Sequence, residues 1–220
     1  VLTTLMVSCS KVYEGQNIDP NNPTAVNAET LLKGIELANI TVQVSHIQRI
    51  TAMWMGQYKG ATLLYKSLGE YSISGEESND TWTYVYQGIA KQASVIRAKL
   101  PDNKSYSGIT KIIEANALGT AAALYGDIPF SERANDAFPV PKFDKQVDVY
   151  AGIQKLLDEA IVELTAVSPL AVISNDIFFA GRSTTWLRVA HTLKARYFME
   201  TKEYAKAYAS ALNGINASNL

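Results

Sequence analysis

The chain of 220 residues holds a single cysteine, only two histidines and seven prolines. One cysteine cannot close an internal disulfide, and two histidines cannot by themselves build a zinc site, so disulfide-scaffold and zinc-module folds are excluded by counting. A charge excess is also missing. Lys plus Arg number 20 against 21 Asp plus Glu, a formal net charge of -1. Such a surface is not built to neutralise a run of phosphates, and nucleic acid is not an expected partner. No apolar stretch approaches the roughly 18 to 20 residues that a membrane span requires. Absent too are a Gly-x-Ser-x-Gly elbow, a phosphate loop and a dinucleotide fingerprint, so no cofactor is expected. What is present is a globular composition, 47% hydrophobic, 19% charged and 10% aromatic, with 12 tyrosines. The length suits one large domain or the front portion of a longer protein, and it suffices to bury a real core.

The first residues carry more information. Val1 to Val7 is an apolar run that ends in Met6-Val7-Ser8-Cys9-Ser10-Lys11, with small Ser8 before the lone cysteine. This resembles a bacterial lipobox, with Met6 where Leu is more usual, and implies that Cys9 is lipidated and becomes the new N-terminus. Residues 1–9 are then the remnant of a lipoprotein signal peptide, and the true start is expected upstream, because the charged stretch and the first part of the apolar segment are not here. The alternative is a chance small hydrophobe at a ragged end. If lipidated, the protein is anchored to a membrane without spanning it. Residues 10–27 form a polar tether; Asp19-Pro20-Asn21-Asn22-Pro23 is too rich in turn formers to hold a helix.

From Ala28 the pattern is helical throughout. Leu31, Leu32, Ile35 and Ala38 share a face, and after a break near Thr41 to Ser45 the period resumes with Ile47, Ile50, Trp54 and Tyr58. A loop is expected over Ser67 to Asp80. The next helix carries Trp82, Val85, Tyr86, Ile89, Ala93, Ile96 and Leu100, with Asp80 as N-cap and Pro101 as stop. Ser107 to Tyr125 follows, with the small run Gly119-Thr120-Ala121-Ala122-Ala123 permitting close helix packing and Gly126 as C-terminal cap. Asp144 is read as the cap of a helix bearing Val147, Tyr150, Ile153, Leu157, Ile161 and Leu164. Asp176 to Gly181 is read as an extended link, Ser183 as the cap of a helix with Trp186, Val189, Ala190, Leu193 and Tyr197, and Glu203 to Asn213 as the last helix, stopped by Gly214. The fold class is therefore all-α: tetratricopeptide-like helical hairpins stacked into an α/α superhelical scaffold with long loops. The consensus does not repeat at a strict interval of about 34 residues. With no polar capping helix at the end of the stack, the domain over 28–220 is expected to be truncated at its C-terminus.

Several segments, in order, resemble the SusD/RagB family of outer-membrane lipoproteins that capture nutrients at the bacterial cell surface. They are the lipobox at Cys9; Asp19-Pro20-Asn21-Asn22-Pro23-Thr24; Asp80-Thr81-Trp82 through Tyr86; Tyr125-Gly126-Asp127-Ile128-Pro129-Phe130-Ser131-Glu132; Pro141-Lys142-Phe143-Asp144 leading to Val149-Tyr150; Leu157-Asp158-Glu159-Ala160; and Trp186 through Leu193-Lys194-Ala195-Arg196. The resemblance implies a helical scaffold whose loops bind an oligosaccharide or another nutrient, acting as a lid on a SusC-like TonB-dependent β-barrel transporter. It implies no catalysis, and a location at the outer-membrane surface held by the lipid anchor alone.

Sugar capture uses aromatic faces against the C–H face of a pyranose, with polar side chains fixing the hydroxyls. The loop Tyr71 to Asp80, with Trp82 and Tyr84 at its exit, is the best local candidate, and Tyr71, Asn79, Trp82 and Tyr84 are the candidate ligand residues. Trp82 shares a face with Val85, Tyr86 and Ile89 and reads chiefly as a core anchor; Tyr84 points off that face. Trp54 and Trp186 lie on apolar stripes and read as core. The Tyr125 to Phe130 segment reads as a helix stop and turn, with Asp127 bonding nearby backbone. Glu76-Glu77 and Asp158-Glu159 are adjacent pairs, not carboxyls converging across a bond, so hydrolase chemistry is not expected. His46 and His191 lack zincin spacing, and no metal or general-base role is expected of them. A helical-repeat scaffold that binds only a protein partner is the competing hypothesis.

Overall fold

A computed structural model describes residues 26–169 and 171–216. Cys9, most of the tether and the last four residues lie outside the described part. The elements are α1 (Ala28–Val44), α2 (His46–Trp54), α3 (Leu63–Gly69), a short 3-10 turn (Gly75–Ser78), α4 (Asn79–Thr83), a π-helical segment (Tyr84–Lys91), α5 (Gln92–Lys99), α6 (Lys104–Tyr125), α7 (Gln146–Thr165), α8 (Ser183–Glu200) and α9 (Tyr204–Ala211). Among the described residues strand pairing is limited to one isolated antiparallel bridge, Ile128 to Asp144. The all-α expectation holds.

α6 is the axis of the fold. It packs against α1, the π segment, α5, α7 and α8, and each later helix packs on its sequence neighbour, α7 on α8 and α8 on α9. Its residues explain this position. Ile109, Ile112, Ile113 and Leu118 are buried to 1% exposure or less, and the small run after them lets neighbours close in. A Cβ on Gly119 would fall 2.2 Å from the ring of Tyr197 on α8, so only glycine admits that ring. Tyr197 in turn donates its hydroxyl to the Asn116 carbonyl at 3.1 Å.

Local chemistry sets the helix ends. Asn27 Oδ1 accepts from the Thr30 amide at 2.8 Å and Asn103 Oδ1 from the Tyr106 amide at 3.2 Å, so α6 starts three residues earlier than its apolar period suggested. Gly126 ends α6 at φ 80°. Two carboxylates then tie the loops together in exchange. Asp127 Oδ1 accepts from the Gln146 amide that opens α7, at 2.9 Å. Asp144 Oδ2 accepts from the Phe130 and Ser131 amides at 2.9 and 2.7 Å. Asp144 therefore does not cap α7; Asp127, reaching from the previous helix end, occupies that role.

Other sequence expectations shift for similar reasons. Asp80 lies inside α4, whose N-cap position is Ser78 with no capping bond. Ser183 is the first residue of α8, not its cap. The expected loop over Ser67 to Asp80 begins later, because α3 runs to Gly69, and contains the 3-10 turn. α2 ends at Trp54, which leaves Tyr58 off the helix and exposed, and Val147 faces solvent at the start of α7. Asp176 to Gly181 is a compact turn wound around the Asp176 carboxylate, not an extended link. The tryptophans fall as expected: Trp186 is buried, and Trp54 is half-buried with its indole donating to the Leu68 carbonyl at 2.8 Å. Among the described residues no helix is long and apolar enough to cross a membrane.

Candidate functional site

The helices α2, α3 and the start of the α4–π rod converge around Arg49. A small satellite core of Ile47, Ile50 and Leu68 supports them from beneath, separate from the main core. Arg49 therefore sits on the polar side of α2, between two buried isoleucines. Its Nε donates to the Tyr65 hydroxyl at 2.8 Å, and its guanidinium lies 5.8 Å from the centre of the Tyr65 ring. The His46 ring is 5.9 Å from the same tyrosine, and His46 Nε2 pairs with the Glu77 carboxylate from the 3-10 turn. These contacts hold three short elements that have little core of their own.

The result is a pair of adjoining clefts that share Arg49. One, of about 420 Å³, is lined by Thr41, His46, Arg49, Glu76, Asp80 and Tyr84. The other, of about 350 Å³, is lined by Arg49, Met53, Tyr58, Lys59 and Tyr65. Tyr84 is 40% exposed and Tyr58 64% exposed, so both rings offer a face to solvent. Tyr84 is also the first residue of the π-helical segment. Such segments are rare and recur at functional sites, because the wide turn re-aims side chains that an α-helix would turn elsewhere. Here Val85 and Ile89 go fully into the core while Tyr84 stays at the cleft.

The candidate ligand residues are thus split. Tyr84 lines the first cleft. Tyr71 is exposed, in a left-handed conformation at φ 63°, with its ring 5.4 Å from Trp54. Asn79 is exposed at the start of α4, beside Asp80. Trp82 belongs to a different groove, of about 440 Å³, with Tyr86, Pro139, Val140 and Phe143. Its ring is packed 4.7 Å from Tyr86, 5.5 Å from Tyr125 and 6.2 Å from Phe143. Tyr86 donates to the Pro129 carbonyl at 3.0 Å, and burial raises its pKa, so it stays a neutral donor. The polar groups of that groove are engaged in holding its loop: Glu132 accepts from the Lys142 amide and Asn135 from the Ala137 amide.

Arg49, Tyr58, Tyr65 and His46 were not among the sequence candidates. The available signal was a cation placed on the polar side of an otherwise apolar helix, in a chain rich in tyrosine. Chemically the clefts offer tyrosine faces, a guanidinium donor and carboxylate acceptors, the set that holds a polyhydroxylated ligand. Glu77 is tied to His46 and lines the first cleft together with Glu76 and Asp80. Among the described residues no group of three or more His, Cys, Asp or Glu side chains is arranged to hold a metal ion.

Comparison with known proteins gives this geometry a setting. A SusD/RagB family protein from Bacteroides thetaiotaomicron VPI-5482 superposes with a TM-score of 0.75 at 22% identity, over 87% of this chain and 43% of its own. A chitin-binding protein gives 0.68 at 23% identity, over 87% and 44%. A chitin-binding SusD homolog from Flavobacterium johnsoniae gives 0.61 at 22% identity, over 82% and 41%. The chain thus spans less than half the length of these structures, and at such identities the likeness establishes the shared fold. No curated protein sequence matches the chain. The family model SusD-like_2, described as starch-binding associating with outer membrane, matches residues 20–219. With that match over nearly its whole length, the chain belongs to the SusD-like family.

Proposed function

We propose that this chain forms the glycan-binding scaffold of a cell-surface lipoprotein, anchored through Cys9, that captures an oligosaccharide and delivers it to a SusC-like TonB-dependent β-barrel transporter in the outer membrane. The observation that carries the reading is Arg49 joining two tyrosine-lined clefts, with Glu76 and Asp80 beside Tyr84. A pyranose stacked on Tyr84 or Tyr58 buries its apolar face, while the guanidinium and carboxylates meet its hydroxyls. The protein binds and releases; no bond is made or broken. The chitin-binding relatives support a glycan as the ligand class.

A second reading, docking of a protein partner without a small-molecule ligand, draws on the Phe138, Val140 and Phe143 surface, where Val140 is 88% exposed. In the preferred reading that surface serves the transporter. Calorimetric titration of the lipidated protein with malto- and chito-oligosaccharides tests the proposal. Removing the Tyr84 ring by Tyr84→Ala forfeits about 0.5 to 1.5 kcal/mol of stacking, a roughly 2- to 12-fold loss of affinity. Arg49→Ala should weaken binding further, since it opens both clefts. Saturable binding that neither substitution changes would overturn the site, and affinity only for a folded protein would favour the second reading.

A further inference from the structure

Away from the clefts, two acidic side chains are buried against each other. Glu36 on α1 is 0% exposed, and Asp176, in the turn before α8, is 4% exposed. Asp176 collects four donors: the Phe178 and Phe179 amides on Oδ1 at 2.8 and 3.1 Å, and the Gly181 amide and Trp186 Nε1 on Oδ2 at 2.7 and 2.6 Å. That set stabilises its ionised form. Glu36 Oε2 accepts from the Ile177 amide at 3.1 Å, whereas Glu36 Oε1 is buried with no donor to meet it. An acceptor oxygen in that position would be an uncompensated charge beside a second carboxylate. The contradiction disappears when Oε1 carries a proton and donates it to Asp176.

We infer that neutral Glu36 and ionised Asp176 form a proton-held latch that clamps the turn over residues 174–182 onto α1 and α8, and that loss of the Glu36 proton in mildly alkaline solution loosens this turn. The surroundings agree. Burial, followed by the bond to Asp176, pushes the Glu36 carboxyl up to about 8, against the opposing pull of the Ile177 amide and Lys33. Tyr106 faces the pair from α6, and its own hydroxyl is raised by burial and by Glu29 and Glu36. For Asp176, burial acts upward but is outweighed by the Trp186 indole, Glu36 and the turn amides, which leave its pKa lowered. One further tie, Asn175 Nδ2 to Glu29 Oε2 at 2.8 Å, joins the same turn to α1.

The sign of the effect follows from linkage. A carboxyl with a raised folded-state pKa binds more protons in the folded chain than in the unfolded one. Stability therefore falls as pH rises between about 4.5 and 8, and is flat outside that window as far as this group is concerned. Carboxyl-carbon NMR of the wild-type protein should show Glu36 titrating near 8 with Asp176 below the ordinary range; a Glu36 midpoint near the ordinary 4.5 overturns the latch. Glu36→Gln keeps a donor toward Asp176 and an acceptor for Ile177 but has no proton to lose. It should remove the decline of thermal stability across the window, and keep the Gly181 amide and Trp186 indole protected from exchange in alkali where the wild type loses protection. Parallel pH profiles for the two proteins would overturn the latch, and if Glu36→Gln fails to fold the wild-type titration still decides.

Discussion

Two glycine-to-alanine substitutions should move stability in opposite directions, and the space around each added Cβ fixes its sign. Gly34 lies in α1, exposed, with nothing within 4 Å of an added Cβ. Alanine there gains helix propensity without a clash, about 0.5 to 1 kcal/mol. Gly119 lies in α6, where the added Cβ would stand 2.2, 2.3 and 2.4 Å from Cζ, Cε1 and the hydroxyl of Tyr197. That ring is 1% exposed, held by its bond to the Asn116 carbonyl and by the Tyr150 ring at 5.9 Å. It has no room to retreat without giving up the bond. Overpacking of about 1 to 3 kcal/mol, with about 1 kcal/mol for the strained hydrogen bond, outweighs a propensity gain of about 1 kcal/mol. The net loss is about 1 to 3 kcal/mol, and at roughly 2 to 4 °C per kcal/mol for a chain of this size Gly119→Ala should melt several degrees below wild type. Gly34→Ala should melt slightly above it. Thermal unfolding followed by circular dichroism reads both. A rise in melting temperature for Gly119→Ala would mean that α8 does not seat against α6 as described.

Two other substitutions probe the ends and the joints of the stack. Asn103→Ala removes the side chain that accepts from the Tyr106 amide at the head of α6; a loss of about 1 kcal/mol is expected in urea unfolding, with faster amide exchange at Tyr106. Glu114, 1% exposed, pairs with Arg97 and Arg133 at 2.8 Å each and so ties α5, α6 and the loop after Phe130 together. Glu114→Ala leaves two guanidinium groups facing each other and should cost about 3 to 5 kcal/mol, whereas Glu114→Gln should cost less.

The main helices were legible because a 3.6-residue period of large apolar side chains is a local property. Ile153, Leu157 and Leu164 bury as that period requires, and Gly126 stops α6 because its φ of 80° belongs to glycine. The helix starts were less legible: Asp80 and Ser183, read as caps, lie within their helices, while Asn27 and Asn103, whose side chains do cap α1 and α6, were not singled out. Asp127 and Asp144 exchange partners across the loop between α6 and α7, so nearness in sequence assigned the wrong carboxylate to the head of α7. The π segment left no mark in the spacing, because Val85 and Ile89 are four apart and fit an α-helix equally well. The clefts were half visible. Tyr84 stood out as an aromatic off the apolar face, but Arg49, Tyr58 and Tyr65 meet only when α2 and α3 fold over a three-residue satellite core, a tertiary event with no local signature. Glu36 and Asp176 are 140 residues apart and were invisible as a pair for the same reason.

The central claim is that glycan is held at the Arg49 clefts, and the most direct measurement is NMR of isotope-labelled tyrosine rings in the protein during titration with malto- and chito-oligosaccharides. The account predicts saturable shifts at Tyr84, Tyr58 and Tyr65, with Tyr86 and the buried Tyr197 unmoved. Shifts at Tyr86 with none at Tyr84 would place the ligand in the Trp82 groove and contradict it.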